Sequence, residues 1–226
     1  INMNLQDFQE RIGYFFHDID LLEEALTHPS FNDRNAKKNY QRLEFFGDKV
    51  LGLVICQKLM HEFPEDSEGE LSKRFSHGVS CENLSQVALD LQIDKMIKLG
   101  KGELLSGGNL NKNNLEDALE AIIGAIYSDS GLEAAEKFIT DHFAEIFDPQ
   151  VPAPTDPVSE FQELVQKQTK SLPAIEVARV SGGDHNPIFE AKIIVQAMNI
   201  EEVGHGNSKK EAVKNTCIKA LESYKK

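Results

Sequence analysis

The sequence predicts an all-α domain followed by a small α+β domain of order α-β-β-β-α. Three observations carry that expectation. Four of the chain's eight prolines crowd into residues 148–157, where missing amide donors and restricted φ favour a stiff, extended connection. Before this stretch the apolar residues recur with helical spacing. After it come alternating runs separated by turn chemistry. The boundaries read as a helical domain over 1–148, a Pro-rich linker over 149–155 and a second domain over 156–226.

Within the first region, Ile19 to Leu26 reads as a helix that stops near Thr27-His28-Pro29. Arg42 to Phe63 forms a long amphipathic helix, with Leu43, Phe46, Val50, Leu53 and Val54 on one stripe. Another helix begins over Glu70 to Phe75. Leu84 to Leu91, Leu115 to Tyr127 and Leu132 to Phe147 complete the set. In the second region Val158 to Thr169 reads as helix. Ala174 to Val180, Ile188 to Val195 and Met198 to His205 read as strands, with a turn at Gly182 to Pro187. Ser208 to Tyr224 closes the domain as a helix, with Ser208 as its N-cap.

Composition narrows the class. With 226 residues, 40% of them hydrophobic and 27% charged, the chain suits a globular fold with a substantial core. No apolar run reaches the roughly 20 residues of a membrane helix. The N-terminal residues lack a basic start followed by an apolar stretch, so no secretion signal is expected. Cys56, Cys81 and Cys217 are widely spaced and odd in number. They make neither a metal pair nor a disulfide framework, and a reducing, cytoplasmic setting is the expectation. The net charge of −13 is unevenly placed. Residues 1–155 carry 14 Lys and Arg against 27 Asp and Glu, and residues 156–226 carry ten of each. An overall acidic chain can still bind nucleic acid through a local basic patch.

Two segments concentrate chemistry. Glu44 and Asp48 stand four apart in Gln41 to Asp48, and Asp117 and Glu120 stand three apart in Leu115 to Gly124. Both spacings put two carboxylates on one helix face. Apolar neighbours crowd both pairs, so repulsion between the acids calls for a positive partner. Oxygen donors without His or Cys suit a hard cation, Mg²⁺ or Mn²⁺. Gly47 and Gly124 also lie inside helices, at a cost of about 1 kcal/mol each against Ala. A close approach of two helix backbones would account for both. Spacing alone leaves open the plainer alternative of two solvated acidic faces beside a core stripe.

These residues resemble the bacterial ribonuclease III family. Gln41 to Leu51, QRLEFFGDKVL, looks like that family's signature stretch, and the resemblance extends through Leu26 to Ser30, Glu68 to Ser72, Leu99 to Glu103 and Asp117 to Tyr127. The second region resembles a double-stranded RNA-binding domain. The resemblance implies a Mg²⁺-dependent endonuclease of double-stranded RNA, with Mn²⁺ able to substitute, acting as a homodimer. Its products would carry 5′-phosphate and 3′-hydroxyl ends with short 3′ overhangs. Processing of ribosomal and messenger RNA precursors is the expected role, with ribosomal precursors, messenger hairpins and antisense duplexes all open as substrates. By position, Glu44, Asp48, Asp117 and Glu120 match the metal ligands. Asp48 and Glu120, with Glu68, match the acids at the cutting site, and Phe45 matches an aromatic that enters a socket on the partner subunit. One departure is Gln41, where the family usually has Glu; glutamine keeps an acceptor oxygen and loses the charge.

The second domain has its own candidates. Lys209, Lys210 and Lys214 gather near the start of the closing helix, whose N-terminus also favours phosphate. By resemblance, Gln162, Glu163 and His185 would reach the minor groove of A-form RNA, where 2′-hydroxyls are displayed. Val213 stands where the family often has a further basic residue. Two other classes are weighed: a non-catalytic RNA-binding protein, which altered metal ligands would favour, and a hydrolase of small phosphorylated substrates. No GxxxxGK[ST] loop supports nucleotide use.

Overall fold

The computed structural model describes residues 4–31, 38–154, 156–182 and 187–224. The chain divides into two compact units, Ile1–Pro154 and Thr155–Lys226.

The first unit is helical. Helix α1 (Leu5–Ile12) carries a capping box between Asn4 and Asp7 and ends on Gly13 at φ 70°, where a left-handed residue closes the last turn. This helix is not among those the sequence predicts. Helix α2 (Ile19–Ala25) follows, then α3 (Gln41–Glu62), α4 (Glu68–Gly78), α5 (Cys81–Asp90), the short α6 (Lys101–Leu105) and α7 (Lys112–His142). The two helices expected over 115–127 and 132–147 are a single element, α7, interrupted at Gly131 (φ 80°, ψ −170°). That glycine supplies the conformation other residues avoid, and the break resets the apolar periodicity that made the segment read as two helices. Its expected end is instead a 3-10 turn, Ala144–Phe147.

Helices α3 and α7 form the centre of this unit. Leu51 and Ile55 of α3 and Leu119, Ile122, Ile123 and Ile126 of α7 are fully buried, each such side chain contributing about 1.5–3 kcal/mol on leaving water. Arg74 is also buried: it pairs with Asp66 at 2.7 Å, lies over the Phe63 ring and donates to the Val151 carbonyl at 2.8 Å. Part of the Pro-rich stretch is thereby held within the first unit by a side-chain donor on a backbone carbonyl.

In the second unit, α8 (Pro157–Thr169) starts with Asp156 as N-cap and Pro157 at its first position, both favourable at a helix start. Strands β1 (Ala174–Ser181), β2 (Ile188–Val195) and β3 (Ile200–Gly206) make an antiparallel sheet in that order. Helix α9 (Lys209–Tyr224) closes the unit, and Ser208 Oγ accepts the Glu211 amide at 3.1 Å as a cap. The third strand starts two residues later than the alternation suggested, because Gln196–Met198 forms a 3-10 turn ending on left-handed Asn199. Phe161, Val165, Ile193, Cys217 and Ala220 fill a separate small core.

Candidate metal centre

The site begins with two glycines. A Cβ on Gly47 would lie 1.8 Å from the Glu120 carbonyl oxygen, and one on Gly124 would lie 2.2 Å from that of Leu43. The two helices therefore cross backbone to backbone, running in opposite directions, as the paired glycines had suggested. This contact brings Glu44, on the first turn of α3, beside Asp117 and Glu120 of α7. One carboxylate oxygen from each of the three lies within 4.8 Å of the others.

The three acids oppose one another. Burial pushes the Glu120 carboxyl up to about 8, helped by the negative charges of Asp48, Glu116, Asp117 and Glu44. Burial likewise raises Glu44, with Asp117, Asp48 and Glu116 adding to it. Asp117 is raised by burial too, although a hydrogen bond from Tyr40 acts in the other direction. Such a cluster is stabilised by a bound cation or by protons. The donor set is all oxygen, and the groups are partly shielded from water. Both features fit a hard divalent ion of the Mg²⁺ or Mn²⁺ kind.

The remaining predicted residues are placed differently. Asp48 acts electrostatically on both Glu44 and Glu120, but its carboxylate is paired with the Lys49 ammonium and stands outside the trio. Glu68 is exposed at the start of α4 and is not one of the three clustered acids. Gln41 is exposed at the start of α3, its backbone N–H donating to Asn39 Oδ1 at 3.1 Å. Phe45 is 71% exposed, far more than a core phenylalanine. Its neighbour Phe46 packs edge-on against Tyr127 instead, with ring centroids 4.9 Å apart.

Two residues escaped the sequence reading. Glu116 acts on Glu44, Asp117 and Glu120 alike, although it does not share the face of its helix neighbour Asp117. Tyr40, only 2% exposed, donates from Oη to Asp117 Oδ2 at 3.1 Å. Its phenol is pushed well up by burial and by Asp117. The available signal was an aromatic at an N-cap position, where Ser, Thr, Asp or Asn is expected.

In the second unit, Lys209, Lys210 and Lys214 are exposed near the start of α9, Glu163 is exposed on α8 and Gln162 is partly buried beside it. His185 lies outside the described residues.

Known proteins match both units in this order. A family described as ribonuclease-III-like matches residues 18–146, and the double-stranded RNA binding motif matches 157–224. The chain belongs to the ribonuclease III family. It is 39% identical to a ribonuclease 3 of Carboxydothermus hydrogenoformans over 98% of this chain and 96% of that protein. It is also 39% identical to one of Wolbachia pipientis over 95% and 94%. The solved nuclease domain of ribonuclease III from Campylobacter jejuni superposes with a TM-score of 0.60 at 38% identity, covering 66% of this chain and 98% of that one. A second solved form of that domain, also at TM-score 0.60, is described by structural flexibility in a region involved in dimer formation. Membership of the ribonuclease III family makes the first unit a metal-dependent nuclease, and the second unit is an RNA-binding module.

Proposed function

We propose that this ribonuclease III hydrolyses phosphodiester bonds in double-stranded RNA with Mg²⁺, leaving 5′-phosphate and 3′-hydroxyl ends with short 3′ overhangs. The observation that carries the reading is the convergence of Glu44, Asp117 and Glu120 oxygens within 4.8 Å across the α3–α7 crossing. These three would hold the ion, with Asp48 at the rim once it parts from Lys49. Mn²⁺ would substitute, since it accepts the same donors.

When bound, the ion supplies charge neutralisation at the phosphate and acidifies water for attack. The protein's own part is to fix three acceptor oxygens in one place before substrate arrives, so that little reorganisation is needed at the reaction. Glu120 would hold the ion in its ionised form, and since burial and neighbouring acids push its carboxyl up to about 8, holding the ion would displace a proton. Asp48, half-exposed and charge-paired, can turn toward the site at small cost. Glu68 serves the reaction as a further acid at the site where the strand is cut.

Lys209, Lys210 and Lys214 would meet phosphates across the deep groove, and Gln162, Glu163 and His185 the minor groove. Recognition is then by duplex shape and charge more than by sequence. The exposed Phe45 supports a homodimer in which it enters the partner subunit, so that two metal centres cut the two strands. Precursors of ribosomal and messenger RNA are the substrates we assign. The three free cysteines suit a reducing cytoplasm, and no described helix is long and apolar enough to cross a membrane.

The test is incubation of a long RNA duplex with Mg²⁺ or with chelator, followed by sizing and end analysis. Short duplexes with 5′-phosphates, formed only with the metal, are expected. Metal-independent cleavage, or 2′,3′-cyclic phosphate ends, would overturn the reading.

A further inference from the structure

We propose that Tyr40 is a positioning residue of the metal centre, holding the Asp117 carboxylate toward the cation. The proposal rests on the metal assignment above. Tyr40 immediately precedes α3, yet its side chain makes no capping bond. The ring is instead 2% exposed and its hydroxyl is spent on Asp117 at 3.1 Å. The same residue's carbonyl accepts the Glu44 amide at 2.9 Å. One residue thus links the helix start that carries Glu44 to the carboxylate of Asp117, two of the three ligands from different helices.

The ring is itself held in place. Its amide donates to the Thr27 carbonyl at 2.9 Å. His28 packs edge-on against it, with centroids 5.5 Å apart at 82°. The His28 ring is in turn oriented by Ser30, whose amide donates to Nδ1 at 2.9 Å, and Ser30 Oγ accepts the Gly100 amide at 3.0 Å. The Leu26–Ser30 and Leu99–Glu103 stretches, singled out in the sequence and far from the ligands along the chain, therefore meet behind the metal centre. Hydrogen-bonded partners of this kind orient ligating groups and tune metal affinity. A phenol suits the task because it is neutral and a donor. It fixes one lone pair of the carboxylate and leaves the negative charge for the ion, where a lysine would compete for it.

Tyr40→Phe keeps the ring and removes only the hydroxyl. The test compares Mn²⁺ binding isotherms of the metal-free full chain with melting curves in chelator. Tyr40→Phe should bind Mn²⁺ about tenfold more weakly, with a metal-free Tm within about 3 °C of the parent. Tyr127→Phe, which removes a hydroxyl from α7, the helix that carries Asp117 and Glu120, should bind within about twofold of the parent. If Tyr40→Phe binds as the parent does while Glu120→Gln binds poorly, the metal assignment stands and this inference fails. If Glu120→Gln also binds as the parent does, the assignment itself fails. Weaker binding accompanied by a Tm loss well beyond 3 °C would mark Tyr40 as a packing residue and likewise contradict the proposal.

Discussion

The two units of this chain hold their proposed functional groups in opposite physical states. In the first, Glu44, Asp117 and Glu120 are drawn into a partly buried cluster that works against folding, as the raised carboxyls record. In the second, Lys209, Lys210 and Lys214 sit in water near the start of α9 and cost the fold little. The difference follows from what each unit must hold. Gripping a small ion requires several like charges at one point, which only a well-packed framework such as the α3–α7 crossing can impose. Holding a polyanion needs cations spread along a surface, and each works separately through counterion release.

The comparison can be broken most sharply at Glu120. Glu120→Gln should lower cleavage by about a thousandfold or more, beyond what loss of one preorganised electrostatic group typically costs, while duplex binding through the second unit stays within about twofold. Gel-based cleavage and filter binding on the same preparation would check this. A variant that cuts at near-parental rate would remove Glu120 from the chemistry.

The framework itself comes next. Gly47→Ala places a methyl where the Glu120 backbone stands. The expected loss is about 1–3 kcal/mol, the usual range for overpacking, read as a Tm fall of several degrees by calorimetry. Mn²⁺ affinity should fall with it, because the same contact sets the distance between the acids. An unchanged Tm would mean that the two helices part easily.

In the second unit, replacing Lys209, Lys210 and Lys214 together by Ala should weaken duplex binding about equally for all sequences. The slope of log K against log salt should shrink by up to about 3. An unaltered slope would place the phosphate contacts elsewhere.

A further effect concerns pH. The Glu120 carboxyl stands at about 8 in the metal-free fold, against about 4.3 when unfolded. Between those values the folded state binds more protons, so this contribution to stability is present below the unfolded value and is lost as pH rises toward 8. Glu44 and Asp117, also raised, act with the same sign. Asp129 and Glu70, held below the usual range, act only in more acid solution. The Tm difference between the parent and Glu120→Gln, measured in chelator from pH 5 to 8.5, should therefore move against the parent as pH rises. Excess Mg²⁺ should reverse the trend.

The same contrast explains what could be read from the letters. Gly47 and Gly124 break helix preference, so the close helix crossing was legible through local misfits, whereas the spacing of the acids left two solvated faces open and only the crossing brings three of them together. The long helices and the strand–turn–strand run were legible from periodicity. The joining of two expected helices into α7 was not, because Gly131 shifts the phase of the pattern. Tyr40 was missed because it reaches Asp117 across 77 residues of chain. Glu116 was missed although it adjoins Asp117 and stands four before Glu120, because the pairing of Asp117 with Glu120 already accounted for the acids on that turn. The lysines of α9 break no local rule, and only the surrounding domain pattern distinguished them from an ordinary solvated helix start.

The most direct measurement is a calorimetric Mn²⁺ titration of the metal-free protein in buffers of different ionisation enthalpy near neutral pH. It would be run beside a variant carrying Glu44→Gln, Asp117→Asn and Glu120→Gln together. The account predicts saturable binding with proton release in the parent and no saturable binding in the variant. Equal binding by both proteins would show that the ion is held elsewhere.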